Sequence, residues 1–268
     1  MSSAGGAIVV VGPIVVGAGV RKATTGGETV QYRHEKTFYS PTLLAAQVGS
    51  DIAAGDLEAK LKDWNAYQFE RVGLNLRPEL VALKDVNGDK EAFVSAAKKI
   101  AETSEFNLVL MSESAEVIGG AVAAAGFKRP LIYAATADTA DAFGKIALDN
   151  ELPLAVKADS VEGLIALTEK LTGMGLKDLV LDPGSRDVKQ ALEDQIAIRR
   201  AALKDANRSL GFPTITFPCE MASTIEMEGV IASMFVAKYG GIVVMSDLTT
   251  EVMFPLLLER LNIYTDPQ

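Results

Sequence analysis

The stretch best placed to do chemistry is Asp182-Pro183-Gly184-Ser185, in which the apolar run Leu179-Val180-Leu181 ends abruptly in a carboxylate, a proline and a glycine. A carboxylate in that position has two uses. It can accept hydrogen bonds from the amides that follow it, with Pro183 fixing φ and Gly184 taking a conformation other residues avoid. It can also accept N–H groups of a bound ligand, with Gly184 and Ser185 beside it. Residues 175–185 permit both, and the turn is the preferred reading. Glu220 and Asp247 could complete an acid/base set with Asp182. Such carboxylates more often cap the next helix through its N-terminal amides, and Asp247, just before a helix start near Thr250, fits that use. Cys219 is the one cysteine and His34 the one histidine. A Cys/His nucleophile pair requires the two side by side, and a zinc site requires three or four ligands. His34, in YRHEKTF, reads as a hairpin residue making structural hydrogen bonds far from Cys219. Arg199-Arg200, with Arg208 beyond, read as a solvated helix end favoured by the helix dipole, with a partner contact as the alternative.

The elements that position these residues alternate. Strand-like runs occupy 43–48, 80–86, 107–111, 130–135, 153–158, 178–182, 213–217 and 241–246. Most are continuously apolar, the pattern of parallel strands buried on both faces. Between them, stripes of period 3.6 predict helices. Residues 56–67 align Leu57, Leu61 and Trp64; 89–102 align Phe93, Ala97 and Ile100; 137–148 align Ala140, Phe143 and Ala147; 160–173 align Leu164, Leu167 and Leu171. Residues 114–125 are alanine-rich, and 185–206 align Val188, Leu192, Ile196 and Leu203. Asp89, Ser114, Ser160, Ser223 and Thr250 are candidate N-caps, and Ser223 to Glu226 reads as a capping box. Eight β/α alternations suit a (β/α)8 TIM barrel, of about 250 residues. The rival is a doubly wound sheet, whose first βα turn often carries a glycine-rich phosphate loop; GPIVVGAG at 12–19 does not make GxGxxG. Strands at 8–11 and 14–17, turning at Gly12-Pro13, and the alternating segment 26–39 predict a small β element over residues 1–40 that caps the bottom of a barrel spanning 41–268. Gly26-Gly27 is the one plausible hinge. Strand ends gather at one mouth Ser112-Glu113, Thr136, Lys157–Asp159, Asp182–Ser185, Pro218–Glu220 and Ser246-Asp247.

The chain has 268 residues and a net charge of −9. No Lys/Arg cluster supports nucleic-acid binding, which needs a basic stripe to neutralise phosphate. A single cysteine excludes an internal disulfide framework and fits the reducing cytoplasm. The one membrane suspect, residues 7–20, falls short of the roughly 20 apolar residues of a spanning helix and is broken by Pro13. No basic residue precedes it, which argues against a signal peptide.

Seven stretches carry a resemblance: GGETVQYRHEKTFYSP (26–41), FNLVLMSES (106–114), RPLIYAAT (129–136), PLAVKA (153–158), GLKDLVLDPGS (175–185), IRR (198–200) and LLLERLNIYTDPQ (256–268). In this order and spacing the chain resembles the large (gamma) subunit of the corrinoid iron–sulfur protein, also called the acetyl-CoA decarbonylase/synthase gamma subunit. The resemblance implies the central barrel of a methyl carrier in the reductive acetyl-CoA (Wood–Ljungdahl) pathway. Such a carrier takes a methyl group from methyltetrahydrofolate or a tetrahydropterin and passes it on corrinoid cobalt to acetyl-CoA synthase. It implies three partners: a corrinoid protein small subunit in a heterodimer, a methyltetrahydrofolate methyltransferase, and acetyl-CoA synthase. The parent has a domain holding a 4Fe-4S cluster through four cysteines and a corrinoid-binding domain. Neither ligand set maps onto a residue here, so the expectation is a barrel that binds no cofactor alone and acts as scaffold, an excised piece or a shortened relative. The alternative is a methyltransferase-like barrel binding a pterin or folate through Asp182, since pterin-binding barrels use a DPG-like turn in that way. A third reading has the barrel rim cap the corrinoid.

Overall fold

The computed structural model describes residues 11–30, 40–126 and 129–264. Eight parallel strands form the central sheet: β3 (Leu43–Gly49), β6 (Leu80–Lys84), β7 (Asn107–Met111), β8 (Leu131–Ala135), β9 (Leu154–Lys157), β10 (Leu179–Asp182), β11 (Ile215–Thr216) and β12 (Ile242–Met245). Their order is β10-β9-β8-β7-β6-β3-β12-β11. A parallel bridge between Leu181 and Thr214 brings the two ends together, and the Leu181 amide donates to the Pro213 carbonyl at 2.8 Å. The result is a nearly closed (β/α)8 barrel. All eight barrel strands predicted from the sequence are present. Their unbroken apolar character follows from burial on both sides, against the interior and against the helices.

The helices are α1 (Ala54–Asn65), α2 (Lys90–Thr103), α3 (Ala115–Ala125), α4 (Ala140–Asp149), α5 (Val161–Gly173), α6 (Val188–Leu203), α7 (Ile225–Ala237) and α8 (Thr250–Tyr264). The predicted stripes of α1, α2, α4 and α5 are their buried faces. Asp89, Ser114 and Ser160 cap as predicted, each accepting from an amide three residues on. Two expectations are corrected. The cap of α7 is Thr224, which accepts from the Met227 amide, so the capping box at Ser223 is one residue out of register. The buried face of α6 is Ala191, Gln195, Ile198, Arg199 and Ala202, while Ile196 is exposed. Gln195 and Arg199 disguise that face as polar. Arg199 is therefore no solvated helix end. Its guanidinium faces Glu28 at 3.7 Å, donates to the Val30 carbonyl at 3.0 Å and lies over the Tyr239 ring. Burial pushes the Glu28 carboxyl up and the Arg199 guanidinium down. Arg200 and Arg208 remain exposed.

At the bottom of the barrel, β1 (Ile14–Val16) pairs antiparallel with β2 (Ala23–Thr25). The partner of the predicted 14–17 strand is thus residues 23–25 rather than 8–11, of which 8–10 lie outside the described residues. Ile14, Val16 and Ala23 join the barrel interior beside Leu43, Leu80 and Leu131, so the hairpin stops the lower opening with apolar side chains. Asn107 donates to the Arg21 carbonyl at 2.8 Å, Arg21 to the Ser104 carbonyl at 2.7 Å, and Thr25 to the Gly241 carbonyl at 3.0 Å. Gly26 and Gly27 both have positive φ, and a Cβ on Gly26 would lie 2.4 Å from the Gly12 carbonyl oxygen. Gly26 thus sits at a tight backbone crossing, while at Gly27 the nearest atoms to such a Cβ are 3.9 Å away. His34 and most of the alternating segment 26–39 lie outside the described residues.

One element had no sequence signal. A hairpin of β4 (Phe69–Arg71) and β5 (Leu74–Leu76) follows α1. Its tip, Val72-Gly73, has positive φ at both residues, the backbone of a tight two-residue hairpin turn. A β-branched residue is rare there, which is why the turn did not read as one.

Candidate functional site

The mouth of the barrel is organised around Asp182, the last residue of β10, only 1 % exposed. Its Oδ1 accepts from the Gly184 amide at 2.8 Å and from Arg186 Nη1 at 3.1 Å. Its Oδ2 accepts from Arg186 Nη2 at 2.9 Å and from the Tyr133 hydroxyl at 2.5 Å. An ionised carboxylate offers about four acceptor positions, and internal donors occupy them. Gly184 has φ +77°, and a Cβ there would lie 2.8 Å from the Ala158 carbonyl oxygen. The turn can therefore carry only glycine without displacing backbone. Ser185 turns away and donates to Asp194 on α6.

Arg186, one position beyond the Asp182–Ser185 turn singled out in the sequence, is the residue that holds the site together. Four residues after Asp182, it grips that carboxylate with both Nη atoms, while its Nε donates to Glu220 at 2.6 Å. Lys84, at the end of β6, donates to the other Glu220 oxygen at 3.0 Å. The guanidinium sits 4.5 Å from the Phe217 ring centroid, and the Tyr133 ring meets Phe217 edge-on at 5.1 Å. Tyr133 faces inward by the same alternation that turns Leu131 inward, and Ala134 joins it there where the β8–β9 register shifts between Ile132 and Ala135. A tyrosine within an otherwise apolar strand was the available signal.

The electrostatics follow from burial and pairing. Desolvation alone would push the Glu220 carboxyl up; the hydrogen bonds from Arg186 and Lys84 outweigh it and leave the group below the usual range. Burial, then the charge of Asp182, pushes the Tyr133 phenol well above its ordinary value. Burial disfavours the Arg186 charge, but the bonds to Asp182 more than compensate, so the guanidinium is held protonated. Glu220 thus joins Asp182 through an intervening arginine.

Asp247 does not join them. It accepts from Trp64 Nε1 at 2.9 Å and from Lys60, both on α1, and from its neighbour's amide at Leu248. It ties the outer helix layer to the end of β12 instead of capping α8. The Cys219 thiol is pushed up to about 12 by burial, with Glu220 and Glu228 adding to the effect. At neutral pH it is a thiol, not a nucleophilic thiolate. Above the cluster lies a cavity of about 460 Å³ whose lining includes Lys84, Asp85, Ser112, Tyr133, Lys157 and Arg186. Among the described residues, no group of three or more His, Cys, Asp or Glu side chains is arranged to hold a metal ion. Likewise among them, no helix is long and apolar enough to cross a membrane.

The chain is similar to proteins already known. The corrinoid/iron-sulfur protein large subunit of Moorella thermoacetica is 37% identical over 255 residues, covering 95% of this chain and 57% of that protein. The acetyl-CoA decarbonylase/synthase complex subunit gamma 1 of Methanosarcina mazei is 30% identical over 268 residues, with the same shares covered. The chain thus spans little more than half the length of these curated relatives. Among solved structures, dihydropteroate synthase (FolP) from Thermus thermophilus superposes with a TM-score of 0.62 at 14% identity, covering 84% of this chain and 95% of that one. A truncated 3-deoxy-D-arabino-heptulosonate 7-phosphate synthase from Thermotoga maritima reaches 0.57 at 10% identity, covering 93% and 94%. At such identities the likeness is one of fold. The family described as CO dehydrogenase/acetyl-CoA synthase delta subunit (CdhD) matches residues 13–268. It bears a different subunit letter from the large and gamma subunits that align with this chain, yet both matches run through the whole barrel. On the extent of that match, the chain belongs to the CO dehydrogenase/acetyl-CoA synthase delta subunit family.

Proposed function

We propose that this chain is the barrel domain of a corrinoid iron–sulfur methyl carrier of the reductive acetyl-CoA pathway, residues 41–268 forming the barrel and 1–40 the element at its base. It acts as scaffold and subunit-contact domain while a methyl group passes from methyltetrahydrofolate or a tetrahydropterin to acetyl-CoA synthase. Its partners are the small subunit of the carrier, the methyltransferase and the synthase. The chain makes and breaks no bond itself.

The observation that carries this reading is the saturation of Asp182. Arg186, Tyr133 and Gly184 fill its acceptor positions, so a pterin could bind through it only by displacing a bidentate arginine from a buried carboxylate, the costly half of such a pair to expose. The residues present do not fit the carrier's own cofactors. A 4Fe-4S cluster needs four thiolates, and the sequence has one cysteine. The mouth cavity, about 460 Å³, is of a size for one small heterocycle and does not enclose a corrinoid ring.

The test is reconstitution and calorimetry on the 268-residue chain. Incubation with a corrinoid followed by desalting is expected to leave no visible absorbance with the protein. Titration with methyltetrahydrofolate is expected to give no heat of binding. Micromolar binding abolished by Asp182→Asn would replace the scaffold with the pterin-binding alternative, and retained corrinoid colour would replace it with the rim-capping one.

A further inference from the structure

On the outside of the barrel, α7 and α8 leave an apolar groove that no other described residue covers. Its volume is about 400 Å³, with Gly229, Val252 and Leu256 in the floor and Val230 and Pro255 on the walls. The floor is deep because α7 carries no side chain where the helices touch: a Cβ on Gly229 would lie 2.7 Å from Val252 Cγ1. Helix α7 is apolar on its outer side as well as its inner one. Ile231, Ala232, Phe235 and Val236 are buried, while Val230 is 63 % and Met227 52 % exposed. Apolar side chains on the outer side of a helix, beyond those its inner face buries, mark surface that cover would take out of water. The apolar surface does not stop at the groove. Phe254, next to Pro255, is exposed and meets Phe69 at 5.0 Å. Phe69 opens the β4–β5 hairpin, whose tip residue Val72 is 86 % exposed.

The rim carries one sign of charge. Glu226, Glu251 and Glu259 border the groove, none takes part in an ion pair among the described residues, and burial alone pushes the Glu259 carboxyl up. A second copy of this chain is a poor occupant. A two-fold contact pairs the same patch with itself, which would set these carboxylates against their own equivalents. The complementary occupant has an apolar ridge flanked by Lys and Arg.

We propose that the α7–α8 groove, extended by the β4–β5 hairpin, is the docking face for a different subunit that presents an apolar ridge with basic flanks. The proposal rests on the reading of this chain as a subunit-contact domain and adds where the contact is made.

The experiment is binding of the full chain to the carrier's small subunit, measured by biolayer interferometry at two salt concentrations, with sedimentation velocity on the chain alone. Val230→Lys and the triple change Glu226→Gln/Glu251→Gln/Glu259→Gln alter exposed or rim positions, and thermal melts verify that both variants are folded. Expected are a monomeric free chain, binding by the wild type, and affinity about tenfold or more weaker for Val230→Lys. The triple variant is expected to associate more slowly and to lose most of its salt dependence. Wild-type binding that both variants share unchanged would overturn the groove as the docking face while leaving the subunit-contact reading intact. A homodimer dissolved by Val230→Lys would overturn the choice of occupant. No binding by the wild type would overturn both the docking proposal and the reading beneath it.

Discussion

Replacing Arg186 with methionine isolates the clasp at the barrel mouth. The change keeps an unbranched apolar side chain but deletes the guanidinium, and with it the contact over Phe217, both Nη bonds to Asp182 and the Nε bond to Glu220. Removing one partner of a buried ion pair costs about 3–5 kcal/mol, because the other charge is left in low dielectric. Asp182 keeps two donors, Tyr133 and the Gly184 amide, which places the expected loss at the lower end, about 3 kcal/mol. For a chain of this size that corresponds to a drop in Tm of about 6–12 °C. The assay is urea unfolding followed by circular dichroism, on Arg186→Met, Asp182→Asn and the double variant. Because Asp182→Asn removes the stranded charge, the double variant is expected to be more stable than Arg186→Met alone, with a coupling of about 1–2 kcal/mol. A loss below about 1 kcal/mol for Arg186→Met, or strict additivity, would show that the carboxylate does not depend on this arginine and would remove the argument that its acceptor positions are closed to ligands.

Three further outcomes follow from the same geometry. Glu220 is held below the ordinary glutamate value in the folded chain, so its contribution is complete above that ordinary value and is lost as pH falls through the depressed one; urea midpoints of wild type and Glu220→Gln should differ at neutral pH and converge below about pH 4. Cys219, with its thiol pushed up to about 12, should react with a disulfide reagent orders of magnitude more slowly in the native chain at pH 8 than in urea, and equal rates would place the thiol in solvent. At Gly17, with φ +87°, an added Cβ would fall 1.9 Å from Asn107 Oδ1. Gly17→Ala should therefore cost about 1–3 kcal/mol by urea unfolding and sensitise residues 17–22 to proteolysis, as the hairpin loses Asn107's bond to the Arg21 carbonyl.

The barrel was legible because its strands are nearly pure. NLVLM and LIYAA are buried at every residue, and a run with no polar alternation has few other places to go. The outer layer was legible where the inward stripe is wholly apolar, as in α2 with Phe93, Ala97 and Ile100. It was misread in α6, where Gln195 and Arg199 face inward: Gln195 accepts a hydrogen bond from the Thr214 hydroxyl, and Arg199 faces Glu28. Partners outside the helix, 19 residues away for Gln195 and in the far N-terminal segment for Arg199, leave no trace in its own periodicity. The same limit hid the site. Asp182 and Glu220 could be named from strand ends, but their shared dependence on Arg186 comes from the turn that folds the next helix back over the mouth. The β4–β5 hairpin escaped notice because its strands are three residues each and its turn lacks the customary Asn or Asp.

The way the ring closes gives the charged clasp a second meaning. Most neighbouring strands share a ladder, but β10 and β11 meet through a single bridge, and β11 is only two residues long. This is the seam along which a parallel barrel opens most easily. Arg186 follows β10 and Glu220 follows β11, so the ion pair between them is stitched directly across that gap, with Phe217 beneath it as packing. The acidic residues at the mouth thereby act as a latch on the cylinder's weakest joint. Amide exchange at Leu181 should report whether it is fastened.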